Sequence, residues 1–302
     1  REKQKRKKKL LTMRRLFTFG CSHTNWFWHT WADILGLNFE QYFNFGKYGT
    51  GNFRILNQIQ RANEYFEFNK NDYIAICLSS DFRYDIIDSN SNVGWIQNGC
   101  MLNERTFYTE HLEKQLDWIG GYENTLTCIK SIKNILNTTK ANVRMLSAFG
   151  FDRIDYKHKK NHQNVFDKIF LEINKHLHSP ISFHTLPSIS TYDTLTYNVS
   201  QKKGEKKKED GHFTIPIHLD FVKQHFSDWY DTKYDNKVMS WHKELPSYIE
   251  GPGGMNEYKA KDTEKHVFEF NGSLLIGQKY LKEYNGCERT IVTDNLKGNI
   301  LL

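Results

Sequence analysis

Residues 15–24 read RLFTFGCSHT, an apolar β-prone run that stops at Gly20 and gives way to a small hydroxyl residue, Ser22, beside His23. A run of this length and composition is a short strand, and a glycine permits the tight turn that ends it. Ser22 then has two readings. It is either a hydroxyl displayed for reaction at the end of a strand or the cap of the helix expected over WFWHTWADILG, residues 26–36. The rest of the chain has to decide between them.

Outward from this stretch, short β-prone runs alternate with longer segments whose apolar residues recur near every 3.6 positions. QYFNF (41–45) reads as a strand, NFRILNQIQRANEYFEF (52–68) as a helix, and DYIAICLS (72–79) as a continuous apolar strand of the kind buried on both faces. An irregular segment from Asp81 precedes a helix over TLTCIKSIKNIL (125–136), a strand over NVRMLSAF (142–149) and a helix over NVFDKIFLEINKHL (164–177). IPIHLDFVKQHFSDWY (215–230) resumes a helical pattern. The alternation predicts an α/β fold, a doubly wound, mostly parallel sheet flanked by helices, with ligands bound outside the carboxyl ends of the strands. From about Asp235 the pattern changes: GPGG at 251–254 and strand-like runs such as HVFEF are present, with no helix of convincing length. Residues 13–234 are therefore read as the main domain and residues 235–302 as a small C-terminal extension.

The chain has 302 residues and a net charge of +7, but residues 1–12 alone contribute seven Lys or Arg against one Glu. What remains is nearly neutral, so the charge describes a basic arm, read as a solvated tail apart from the fold. Nucleic acid is accordingly not an expected partner. No apolar run reaches the ~20 residues needed to span a bilayer, and Arg14 and Arg15 interrupt any signal-like segment. The expected home is the cytoplasm or a virion, with no membrane contact. Five cysteines, Cys21, Cys77, Cys100, Cys128 and Cys287, lack any C-x-x-C pair. Neither a disulfide framework nor a zinc knuckle is indicated.

If the sheet is as read, three strand ends meet at one edge. The first presents Ser22; the second ends in NFGKYGTGN, with Gly46, Gly49 and Gly51; the third ends in Ser79, Ser80 and Asp81. A helix starting near Asn25 would aim its amides at Ser22. A serine nucleophile also needs a base and oxyanion donors. EDGHFTIPIH, from Glu209, brings a carboxylate, Glu209 or Asp210, together with His212. The imidazole would take the serine proton and the carboxylate would fix its tautomer.

The ordered set FGCSHT, NFGKYGTGN, CLSSDFR and DGHFTIPIH resembles the four blocks of the SGNH/GDSL hydrolase superfamily, and more closely its divergent phage- and virus-encoded members. The resemblance runs from about Met13 to Tyr230 and implies a flavodoxin-like SGNH fold. It implies Ser22 as nucleophile and, through its N–H, as an oxyanion donor, with Gly49 as the second donor and Gly46 as the other register. His212 is implied as the base. The acid stays open between Glu209, which has the family's spacing of three, and Asp210, which has its residue type. The third block normally supplies an asparagine amide, and Ser80 stands there; Cys21 replaces the usual aspartate of the first block, and Phe213 follows the histidine in place of the common proline.

Other residues are read beside these. His23 is a candidate pocket residue, Asn52 either caps the second helix or lines the pocket, and Arg83 either binds substrate or pairs with a carboxylate. His218 replaces His212 if the loop register differs. His158 and His162, at i,i+4 spacing among lysines, read as a solvated face rather than a metal site. Trp26, Phe27, Trp28 and Trp31 read mainly as core, with Trp26 able to stack on a sugar. The expected activity is a serine esterase or deacylase acting through an acyl-enzyme on an O-acyl group, an acetyl ester on a carbohydrate first. The expected partner is an acylated small molecule or glycan, with no cofactor and no metal. The alternative expectation is a binding or virion-associated module on the same fold with decayed catalysis.

Overall fold

The computed structural model describes residues 14–26, 28–47, 49–81, 83–85, 100–101, 118–151, 163–186, 198–199, 208–209, 212–250, 265–270 and 273–281. Four parallel strands form the centre: β1 (Arg15–Gly20), β2 (Gln41–Asn44), β3 (Asp72–Leu78) and, later in the chain, β6 (Asn142–Ser147). Two short pairs lie apart from them, β4 (Arg83–Tyr84) with β5 (Cys100–Met101) and β7 (Asn198–Val199) with β8 (Lys208–Glu209). β9 (Lys265–Phe270) and β10 (Ser273–Leu281) form a hairpin that pairs antiparallel with β2, so the sheet order is β6-β3-β1-β2-β10-β9.

Helices cover both faces. On one side lie α1 (Trp31–Gly36), α5 (Ile215–His225) and α6 (Asp235–Glu250); on the other lie α2 (Asn52–Phe66), α3 (Trp118–Asn137) and α4 (Gln163–Asn174). Strand alternation sorts the core accordingly. In β3, Ala75 and Cys77 join the cluster of Trp31, Phe183, Phe221 and Leu245, while Ile74, Ile76 and Leu78 join that of Ile55, Ile129 and Ile169. Phe17 on β1 stacks on Phe43 on β2, and Phe19 on β1 on Phe45 just past the end of β2, each pair with ring centroids 4.9 Å apart. These pairs fix a register that a one-residue slip would reverse. The doubly wound α/β expectation is met.

Two expectations are corrected. After Asp235 there is a 16-residue helix, α6, whose Val238 and Leu245 are fully buried in the core. The helix expected over residues 26–36 is only α1, six residues long. One distant and one local bond tie down the residues before it: Trp28 Nε1–H donates to the Phe213 carbonyl at 2.9 Å, and the Thr30 hydroxyl donates to the Thr24 carbonyl, six residues back, at 2.6 Å. Tertiary structure overrides local propensity here. The arm 1–12, His158, His162 and Asp210 lie outside the described residues.

Candidate functional site

The carboxyl ends of β1, β2 and β3 converge as the alternation requires. Gly20 closes β1 because nothing larger fits: an added Cβ would lie 2.1 Å from Thr24 Oγ1 and 2.7 Å from the Cys77 carbonyl oxygen. The next residues make a single turn, in which the Cys21 carbonyl accepts from the N–H groups of Thr24 (2.9 Å) and Asn25 (3.2 Å). Ser22 sits in this turn, 3% exposed. The expectation of a helix N-terminus aimed at it is corrected, since α1 begins only at Trp31.

The C-terminal block folds back onto this turn across 190 residues. Trp28's bond to Phe213 is one tie; the other is the His212 ring, stacked on Trp26 with centroids 3.6 Å apart. His212 also lies 5.3 Å, ring to ring, from His23. His218, buried on α5, packs edge-on against Phe183 at 5.0 Å.

His23 is the hub of the cluster. Its ring lies 5.2 Å from Phe149, 5.4 Å from Phe213 and 5.2 Å from His184, and its Nε2 faces the Nε2 of His184 at 3.4 Å. Burial first, and then the neighbouring His212, His184, His218 and Arg83, push the His23 pKa well below the ordinary imidazole value. His23 is therefore neutral near pH 7. Its Nδ1 is buried with no hydrogen-bond partner among the described residues.

His184 was not singled out by the sequence. It sits in a 3-10 turn, Phe183–Thr185, between segments with no motif of their own, and only the fold brings it to His23. Its ring stacks on Phe149 at 4.7 Å. Arg83, in β4, holds its guanidinium carbon 5.6 Å from the same Phe149 ring.

The glycine loop after β2 divides into distinct roles. Gly49 has φ +69°, the left-handed conformation that favours glycine. The N–H of Gly46 is bonded to Asn44 Oδ1 at 2.9 Å, which removes it as an alternative donor. Asn52 is the first residue of α2, after the N-cap Gly51. Its side chain accepts from Ser79 N–H (2.8 Å) and donates to the Ser79 carbonyl (3.1 Å) and Thr125 Oγ1 (3.2 Å), clasping the end of β3. Capping comes from Asp85, which accepts from Gly51 N–H and Arg54 N–H, both at 2.7 Å.

At the end of β3 the Ser80 hydroxyl lies 3.5 Å from Asp81 Oδ1, a long contact. Asp81 is 6% exposed, and burial raises its carboxyl to about 7, against the smaller opposing effects of its own backbone N–H and of Ser80. Glu209 lies in β8, where its backbone pairs with Asn198. No group of three or more His, Cys, Asp or Glu side chains suited to a metal ion occurs among the described residues. None of their helices is long and apolar enough to cross a membrane.

The fold and site together define an α/β protein with a serine, a glycine turn and a histidine cluster at one sheet edge. No family model and no curated protein matches the chain. Among solved structures it is similar to the crystal structure of a member of the lipolytic protein G-D-S-L family from Veillonella parvula DSM 2008, with 11% identity and a TM-score of 0.38, covering 70% of this chain and 98% of that one.

Proposed function

We propose that the chain is a serine esterase or deacylase that cleaves an O-acyl ester through an acyl-enzyme on Ser22. The observation that carries this reading is the return of His212 to the turn that holds Ser22, where it packs on Trp26 and beside His23. In this scheme Ser22 Oγ attacks the ester carbonyl carbon and His212 accepts its proton. The tetrahedral oxyanion is held by the N–H groups of Ser22 and Gly49, with Ser80 as a third donor. Collapse breaks the bond to the alcohol oxygen, which takes the proton from His212. Water, deprotonated by the same imidazole, then releases the acid and restores Ser22. Glu209 or Asp210 orients the imidazole.

The first substrates to assay are acetyl esters, carbohydrate ones included, with Trp26 offering an aromatic face to a sugar in the alcohol part. Hydrolysis of p-nitrophenyl acetate and of acetylated oligosaccharides should fall by at least 10³-fold in Ser22→Ala and in His212→Ala. A fluorophosphonate should phosphonylate Ser22 alone, with fluoride displaced by the serine oxygen. Turnover that survives Ser22→Ala refutes the scheme. Absence of both turnover and labelling favours the fold as a binding module.

A further inference from the structure

At the carboxyl end of β6, beside the histidine cluster, lies a half-open pocket of about 300 Å³. Phe149, Phe151, Phe170 and Leu177 give it an apolar lining, and Asn174 and Thr185 are among its few polar members. This is the makeup of a small-molecule pocket, mostly apolar with a few groups to fix orientation. It adjoins the candidate site at two points. Phe149 is at once a wall of the cavity and a ring neighbour of His23 and His184, and Thr185 follows His184 in the chain. The Ser147 hydroxyl donates to the Phe149 carbonyl, which braces that wall.

Resting on the Ser22–His212 reading, the two sides of the site take different parts of an ester. The imidazole must hand its proton to the departing alcohol, so the alcohol belongs on the side where His212 packs against Trp26. The cavity behind Phe149 and His184 is then available to the substituent on the acyl carbon. We infer that this cavity binds the acyl group, and that the group is apolar and larger than acetyl. A water-sized group occupies ~30 Å³, so the cavity accommodates about ten non-hydrogen atoms. A methyl group would leave most of it unfilled. A medium straight chain and a single aromatic ring share this chemistry, and the three phenylalanine rings accept either.

The test is a series of p-nitrophenyl esters with a constant leaving group: acetyl, butyryl, hexanoyl, octanoyl and phenylacetyl. The expected result is kcat/KM rising roughly threefold per added methylene up to about eight carbons, or a maximum at phenylacetyl, the two outcomes distinguishing chain from ring. Leu177→Trp and, separately, Asn174→Trp narrow the cavity and should lower the octanoyl-to-acetyl or phenylacetyl-to-acetyl ratio by tenfold or more. Two independent substitutions guard against one that fails to fold, with circular dichroism as the check. A flat series, or a ratio unmoved by both folded variants, overturns the inference while leaving the esterase reading intact. If no ester is turned over, binding of octanoate and phenylacetate to the full chain, followed by NMR, decides the cavity alone. Binding that Leu177→Trp abolishes supports it, and no binding by either acid overturns it.

Discussion

The Nε2 atoms of His23 and His184 face each other 3.4 Å apart, although the residues are 161 positions apart in the chain. One nitrogen must carry the proton and the other accept it. Whichever way the pair is arranged, the Nδ1 of His23 has no partner among the described residues. His184 thus supplies a hydrogen bond to a buried ring that has few alternatives. His184→Ala leaves that ring unsatisfied at both nitrogens and should cost about 1–3 kcal/mol in urea unfolding, with an unchanged m-value. His184→Gln, which can donate from its amide, should recover part of the loss.

Acid should destabilise the protein through its buried imidazoles. His23 is held well below the ordinary value by burial and by its basic neighbours. His225 is pushed down to about 4 by burial first, then by His178 and Arg144. The unfolded chain binds protons at these sites from about pH 6.5 downward, whereas the folded chain does not. Stability is therefore level above pH 6.5 for these groups and falls as the pH drops toward 4. His225→Gln should flatten that slope in unfolding curves between pH 7 and 4. An unaltered slope would remove His225 from the account.

Asp81 works with the opposite sign. Burial pushes its folded carboxyl up to about 7, from the ordinary aspartate value of 3.8. The folded state thus keeps a proton that the unfolded state releases, and this contribution, complete below pH 3.8, is lost as the pH rises through 7. Asp81→Asn cannot ionise and should stabilise the protein at pH 8 relative to wild type, on the order of a few kcal/mol. The gain should disappear near pH 4. A gain equal at both pH values would point to packing instead.

Much of the sheet was legible in the sequence because buried parallel strands carry their own signal. DYIAICLS is apolar on both faces, and β3 occupies Asp72–Leu78 of it. α2 was legible from its spacing. The absence of helix just before α1 was not, because Trp28 is tied to Phe213, 185 positions away, a partner that no local window contains. α6 was missed although its spacing is helical, because its residues are mostly charged, polar or aromatic and Pro246 interrupts the pattern, yet Val238 and Leu245 anchor it. In the site, His23 was legible as a neighbour of Ser22 but not as a hub, since its surroundings come from four separate segments. His184 carried no signal that spacing or motif could have raised. Asn52 misled because a polar residue between a glycine loop and a helix has the same letters whether it holds a ligand or a strand end.

Asn52 and Asp85 secure the same helix end from two directions. Asn52 ties α2 to the exit of β3 through three hydrogen bonds, and Asp85 takes two of the unpaired N–H groups at its start. Loss of a cap typically costs ~1 kcal/mol, and Asn52→Ala also strands the buried Ser79 N–H, so roughly 1–3 kcal/mol is expected for each substitution. Because the two groups hold one structural unit, their effects should not add. Once the helix start is released by Asp85→Ala, the clasp of Asn52 on Ser79 has less to hold. The double variant should therefore lose at least 0.5 kcal/mol less than the sum of the single losses, measured by denaturant unfolding. Strict additivity would mean that the two act independently, and a change in substrate affinity in Asn52→Ala without loss of stability would return that residue to the binding site.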